Sequence, residues 1–168
     1  MLFKTSLNTP LGEMIAVAHT QGISLLAFSD EKTVDRDIQQ IEKTLQTEVK
    51  EGENTYLHQL KQELEAYFNG NLKAFTVPLF TVGTPFQKSV WEVLQKVPYG
   101  ETKTYAQQAL ALGKPKSVRA VANANGQNKI AIVIPCHRII GSNGTLTGYA
   151  GGLWRKQKLL ELEKSILL

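Results

Sequence analysis

Three short stretches rich in apolar β-formers open the chain: Leu2 to Leu7, Glu13 to His19 and Ile23 to Phe28. Thr9-Pro10-Leu11-Gly12 and Thr20-Gln21-Gly22 separate them and read as turns, so the pattern predicts a strand meander. The period then changes. Val34, Ile38, Ile41 and Leu45 recur at helical spacing, as do Leu57, Leu60, Leu64 and Phe68. Each set lines one face of a helix, and Asn69-Gly70 should close the second. Residues 71–83 read as a strand and a linker, with Pro78 and Gly83 marking the join. Thr84-Pro85-Phe86-Gln87 is a helix start: a Thr cap, Pro at the first helical position and Gln three residues after the cap. Val90, Trp91, Leu94 and Val97 form the buried face of that helix, and Pro98-Tyr99-Gly100 stops it.

Two shorter helices follow. Thr104 and Gln107 make a second capping box, leading through Ala106, Ala109 and Leu110 to a stop at Gly113. Lys114-Pro115-Lys116-Ser117 starts the next, with Val118 and Val121 inward and Asn125-Gly126 as terminator. Two short helices around a glycine turn fit a helix-turn-helix, although helix pairs of this kind also occur in plain all-α packing. The second helix holds Ser117, Arg119, Ala120, Ala122, Asn123, Ala124 and Asn125, and its outward face reads as small and polar around one cation. Small side chains permit close approach to a nucleic-acid backbone and one long cation can reach into a groove. An Ala-rich helix with one exposed Arg is the plainer alternative. A final helix runs from Leu153 to Leu162, with Leu153, Leu159, Leu160 and Leu162 apolar. Glu163 stands at its end among leucines, where burial would demand a partner.

The run Ile130-Ala131-Ile132-Val133-Ile134 reads as a buried strand that Pro135 must end or bend. Cys136 and His137 come next, and Cys136 is the only cysteine. Free cysteines are commonly inert core residues. Here His137 and Arg138 are costly to bury, so the segment is expected to surface at this point. A nearby base or cation also favours thiolate, the nucleophilic form of cysteine. Gly141-Ser142-Asn143-Gly144 and Gly148-Tyr149-Ala150-Gly151-Gly152 then form loops whose backbone N–H groups stay accessible.

Composition narrows the classes. The 168 residues are 42% hydrophobic and 20% charged, as in a globular protein of one domain or two small ones. A single cysteine excludes an intramolecular disulfide and points to a reducing compartment. His19, His58 and His137 are scattered, without metal-ligand spacing, so no metal or cofactor is expected. No signal peptide or membrane span is seen, which makes cytosol the expected location. Charge is unevenly shared: residues 1–83 carry 7 Lys/Arg against 11 Asp/Glu, and residues 84–168 carry 12 against 4. A basic second half suits a polyanion such as nucleic acid; a solvated basic surface is the other reading.

Ile134-Pro135-Cys136-His137-Arg138 resembles the active-site signature of the O6-alkylguanine-DNA alkyltransferases. The similarity extends over residues 84–163, through Thr84-Pro85-Phe86-Gln87, Val97-Pro98-Tyr99-Gly100-Glu101-Thr102, Val118-Arg119-Ala120-Val121, Asn128 and Gly148-Tyr149-Ala150-Gly151-Gly152. The resemblance implies an α+β chain: a small N-terminal α/β (ribonuclease H-like) scaffold domain over 1–83, and a helical, winged-helix-like domain with a helix-turn-helix over 84–168. It implies a monomer acting on double-stranded DNA that carries O6-alkylated guanine, with O4-alkylthymine left open, and a single transfer to Cys136. In that scheme His137 is the base, Glu163 orients it, and Tyr105 donates to the departing guanine. Arg119 fills the vacated stack on a helix that also presents Ser117, Ala120 and Asn123. Asn128, Ile139, Tyr149, Ala150 and Lys156 support the pocket.

Some positions depart from the family pattern. Lys129 stands where proline is usual, so a looser turn is expected; Ala150 replaces a serine; and Ala131 replaces a pocket-walling proline, which implies tolerance of bulkier alkyl groups. Two other classes compete with the family reading. A non-reactive lesion-binding protein on the same scaffold would lack Cys136. A hydrolase using Cys136, His137 and Glu163 would leave the helix-turn-helix unexplained.

Overall fold

The computed structural model describes residues 1–164, and the chain divides into two compact units, Met1–Val82 and a second that begins at Gly83. In the first unit the meander is present as β1 (Leu2–Thr9), β2 (Gly12–His19) and β3 (Gly22–Phe28), with α1 (Val34–Leu45) and α2 (Thr55–Phe68) after it. A short strand, β4 (Val49–Glu51), pairs in parallel with β1 and completes a sheet of order β3-β2-β1-β4. Leu2, Val17, Leu25, Val34 and Ile41 share one core. Residues 71–83 contain no regular strand. They run beside β3 with a single bridge, Ile23 to Leu79, because Pro78 lacks the N–H a ladder needs and offers only its carbonyl, which accepts from Ile23 N at 2.9 Å. A side chain at Gly22 would meet that carbonyl at 2.7 Å.

The second unit begins with α3 (Pro85–Gln95), whose capping box is formed by Thr84 and Gln87 in both directions. Trp91 is buried on its inner face and donates Nε1–H to the Ala124 carbonyl at 3.0 Å. A Cβ at Gly83 would lie 2.6 Å from the Trp91 ring, so the chain entering α3 has no room for a side chain there. A two-residue strand, β5 (Lys103–Thr104), leads through the second capping box into α4 (Tyr105–Ala111), and α5 (Val118–Gly126) follows. Gly113 takes φ +79 between them. Then come a 3-10 turn (Cys136–Arg138), β6 (Ile139–Ile140) parallel to β5, and α6 (Leu153–Leu162).

One local expectation changes. Residues 130–134 are not a strand but a tight turn: Ile132 has φ +71, Val133 N donates to Ala131 O at 2.8 Å and Ile134 N to Ile130 O at 3.0 Å. Ile130, Ile132 and Ile134 are nonetheless buried, which is why the alternation mimicked a strand. Ala124 and Asn125 of α5 face inward. Asn125 and Gln108 exchange two amide hydrogen bonds of 2.7 Å, which satisfies both buried side chains and ties α4 to α5. Leu153, one of the apolar residues of the last helix, is exposed beside Trp154.

Candidate active site

Every residue of the expected site lies in the second unit, and several meet around Cys136. Pro135 (φ −83, ψ 63) folds the chain sharply, with Cys136 N donating to Ile134 O at 2.8 Å, and the 3-10 turn then presents the thiol half-buried. Asn128 grips this turn from its base. Its side chain accepts from Ile130 N at 2.9 Å, and its Nδ2 donates to the Ile134 carbonyl at 2.9 Å and to Cys136 Sγ at 3.2 Å. An N–H aimed at sulfur favours the anionic form. Lys129, which stands in the place of the usual proline, is buried with its ammonium 5.5 Å from the Trp91 ring centroid, a cation–π arrangement.

His137 and Arg138 do not surface. His137 is fully buried and Arg138 only 6% exposed, because Glu163 meets both at once. The Glu163 Oε2 lies 2.8 Å from His137 Nε2 and accepts from one Arg138 terminal nitrogen at 3.0 Å, while Oε1 accepts from Arg138 Nε at 2.8 Å. Arg138 donates its other terminal nitrogen to the Val97 carbonyl at 2.7 Å, so the stop after α3 is part of the same cluster. Burial raises the Glu163 carboxyl, but its hydrogen bonds and charges from His137 and Arg138 outweigh that and hold it at about 2. Burial pushes His137 below the usual histidine value, against Glu163 and with help from Arg138 and Lys156. A neutral imidazole facing an ionised carboxylate must carry its proton on Nε2. Nδ1 is then an acceptor, buried, with no hydrogen-bond partner among the described residues.

Lys156, on α6, is fully buried and donates to the Thr147 carbonyl at 2.6 Å. Burial pulls its ammonium down to about 8, opposed by the charge of Cys136. Tyr105, half-buried at the start of α4, places its hydroxyl 3.0 Å from Thr147 Oγ1. Tyr149 is half-buried and Ala150 exposed on the loop before α6, and Ile139 is buried in β6 opposite Lys103. Arg119, Ala120 and Asn123 are exposed on α5, with Ser117 half-buried at its N-cap. These four stand on α5 and at its N-cap, and the turn that Asn128 closes lies between that helix and the 3-10 turn holding Cys136. Among the described residues no cluster of His, Cys, Asp and Glu could hold a metal, and no helix is long and apolar enough to cross a membrane.

Two family models cover the chain: 6-O-methylguanine DNA methyltransferase, ribonuclease-like domain, over residues 2–81, and the DNA binding domain of the same family over residues 85–165. The constitutive methylated-DNA–protein-cysteine methyltransferase of Bacillus subtilis is 46% identical across 98% of this chain and 96% of its own length. This chain belongs to the 6-O-methylguanine DNA methyltransferase family. The methylated-DNA–protein-cysteine methyltransferase of Methanosarcina barkeri is 42% identical across 96% of both chains. Among solved structures, Mycobacterium tuberculosis O6-methylguanine methyltransferase superposes with TM-score 0.83 at 38% identity, over 98% of this chain and 94% of that one. A crystal structure of Mycobacterium tuberculosis OGT in complex with DNA matches with the same TM-score over 97% and 93%. Sequence reasoning missed the contacts made by Arg138, Val97 and Thr147. The signal available for Arg138 was its own cost of burial together with a carboxylate, Glu163, in want of a partner; nothing local marked Thr147.

Proposed function

We propose that this protein repairs DNA by direct reversal, moving the alkyl group from O6 of guanine in a duplex onto Cys136, once per molecule. The observation that carries this reading is the sulfur itself. It receives an amide N–H from Asn128 and stands next in sequence to a buried neutral histidine, whose Nε2 proton is tied to an ionised Glu163. His137 Nδ1 takes the thiol proton through a water. The thiolate attacks the alkyl carbon, a C–S bond forms, and the C–O6 bond breaks with its electron pair passing to the guanine. The anionic base then gains one proton, matching the one the thiol gave up. Tyr105, the N–H of Ala150 and Lys156 are the donors we assign to the departing base, and the Ile139 carbonyl the acceptor for its amino group, with Tyr149 lining the pocket. A thioether is not hydrolysed under these conditions, so the protein is consumed.

The alkylated oxygen lies within a stacked duplex, so the nucleotide has to be extruded, at a cost of a few kcal/mol. We assign Arg119 to the vacated space and the exposed face of α5, with Ser117, Ala120 and Asn123, to the minor groove, where small side chains allow a backbone approach. The first unit is then a scaffold and the second carries DNA binding and transfer by a monomer. O4-alkylthymine presents the same type of alkyl–oxygen bond and is a second substrate to assay.

Incubation with duplex containing O6-methylguanine tests the reading. One equivalent is expected to transfer, adding the mass of one methyl group to the peptide holding Cys136, with Cys136→Ala retaining DNA binding and losing transfer. Repeated turnover would instead favour a cysteine hydrolase. With Ala131 half-buried beside the site turn, benzyl adducts should be accepted well, and Ala131→Pro should slow benzyl transfer more than methyl transfer.

A further inference from the structure

Thr147 touches both side chains assigned above to the departing guanine. Its hydroxyl stands 3.0 Å from the Tyr105 hydroxyl, and its carbonyl accepts from Lys156 Nζ at 2.6 Å. The loop carrying it is thereby fastened on two sides, to the first residue of α4 and to α6. We propose that Thr147 is a positioning residue for the leaving base: its hydroxyl donates to the Tyr105 oxygen, so that the phenol keeps its own proton for the extruded guanine.

Both hydroxyls can donate or accept, and only one polarity serves the reaction. If Tyr105 donates to Thr147, its proton is already spoken for. If Thr147 donates, a chain runs from Thr147 through Tyr105 to the base, and each link strengthens the next. An entering guanine supplies the acceptor that selects this second polarity. Thr147 is exposed, so its hydrogen bond contributes little to folding. A purely structural role therefore predicts almost no effect of losing the hydroxyl, which makes the rate a clean readout.

The inference rests on the transfer reaction proposed above. The experiment compares wild type, Thr147→Val and Thr147→Ser, each with and without Tyr105→Phe. It measures single-turnover transfer at saturating O6-methylguanine duplex, and separately the affinity for the duplex. Thr147→Val should slow transfer roughly fivefold, the worth of one hydrogen bond, with unchanged affinity. Thr147→Ser should recover the wild-type rate to within about twofold, since serine keeps the donor. In the Tyr105→Phe background Thr147→Val should cause no further loss. Full-rate transfer by Thr147→Val would overturn the proposal, as would a loss of equal size with Tyr105 absent. A wild-type protein that transfers nothing would bring down the underlying reaction and this inference with it, a result recognisable without any variant.

Discussion

Glu163 receives an imidazole and a guanidinium on one carboxylate, and that sharing sets the chemistry of both. Arg138 keeps the carboxylate ionised and adds positive charge beside His137, so the imidazole stays neutral instead of becoming a permanent ion-pair partner. Removing the guanidinium leaves a buried carboxylate half-paired. Arg138→Met should therefore cost about 3 to 5 kcal/mol in urea denaturation at neutral pH. The acid limb of stability carries a matching signature. With a folded value of about 2 against an ordinary 4.5, Glu163 contributes stability that is complete above pH 4.5 and is lost as pH falls toward 2, on the order of 3 kcal/mol. His137, depressed by burial, works in the same direction just below its ordinary value of 6.5, because the unfolded chain binds the proton first. Denaturation between pH 3 and 6 should show this slope in the wild type and a shallower one in Arg138→Met.

Lys156 shows the opposite balance between folding and activity. Its ammonium is held in the interior at a cost that appears as the fall to about 8. Between pH 8 and 10.5 the unfolded chain holds this proton more tightly than the folded one, so the contribution from Lys156 makes stability rise with pH there. Lys156→Met should melt at a higher temperature than wild type at pH 7, lose that alkaline rise, and transfer alkyl groups more slowly. Calorimetry paired with the single-turnover assay separates the two effects.

At the scale of elements, the amide pair between Gln108 and Asn125 fixes α5, the helix we assign to the groove. Gln108→Leu would strand the Asn125 amide in the interior and should cost about 1 to 3 kcal/mol by thermal denaturation; Gln108→Leu with Asn125→Leu should recover part of it. Both α3 and α4 start where the sequence says they do, because a capping box is local chemistry: Thr84 with Gln87 and Thr104 with Gln107 need no distant partner. Residues 130–134 were illegible for the converse reason. A turn that buries alternate residues has the same period as a strand, and what distinguishes them, the positive φ of Ile132 and the local hydrogen bonds of Val133 and Ile134, leaves no mark on the sequence pattern. β4 escaped notice because three residues are too few to show a period, and its pairing with β1 is non-local. The burial of His137 and Arg138 was likewise invisible locally, since the carboxylate that makes it tolerable lies 26 and 25 residues further on.

Across the whole molecule the charge separation matters most. Residues 84–168 hold 12 Lys/Arg against 4 Asp/Glu, so duplex affinity should fall steeply with salt as counterions return to the phosphates. Arg119 is one cation among these, but we have given it the vacated stack. Arg119→Ala is expected to reduce the saturating transfer rate by a larger factor than the affinity, and to change the log–log salt slope by about 1 at most. Equal losses in rate and affinity would make it an ordinary phosphate contact.

The order in which the ribosome delivers these parts has a consequence of its own. Synthesis runs from amino to carboxyl end, so Cys136 and His137 leave the exit tunnel well ahead of Glu163. Until that carboxylate arrives, the imidazole lacks the acceptor that holds its Nε2 proton, and the nascent thiol should react more slowly with stray electrophiles than the folded one. A protein consumed by one reaction would then be spared while it is being made, and made reactive by the residue that caps α6.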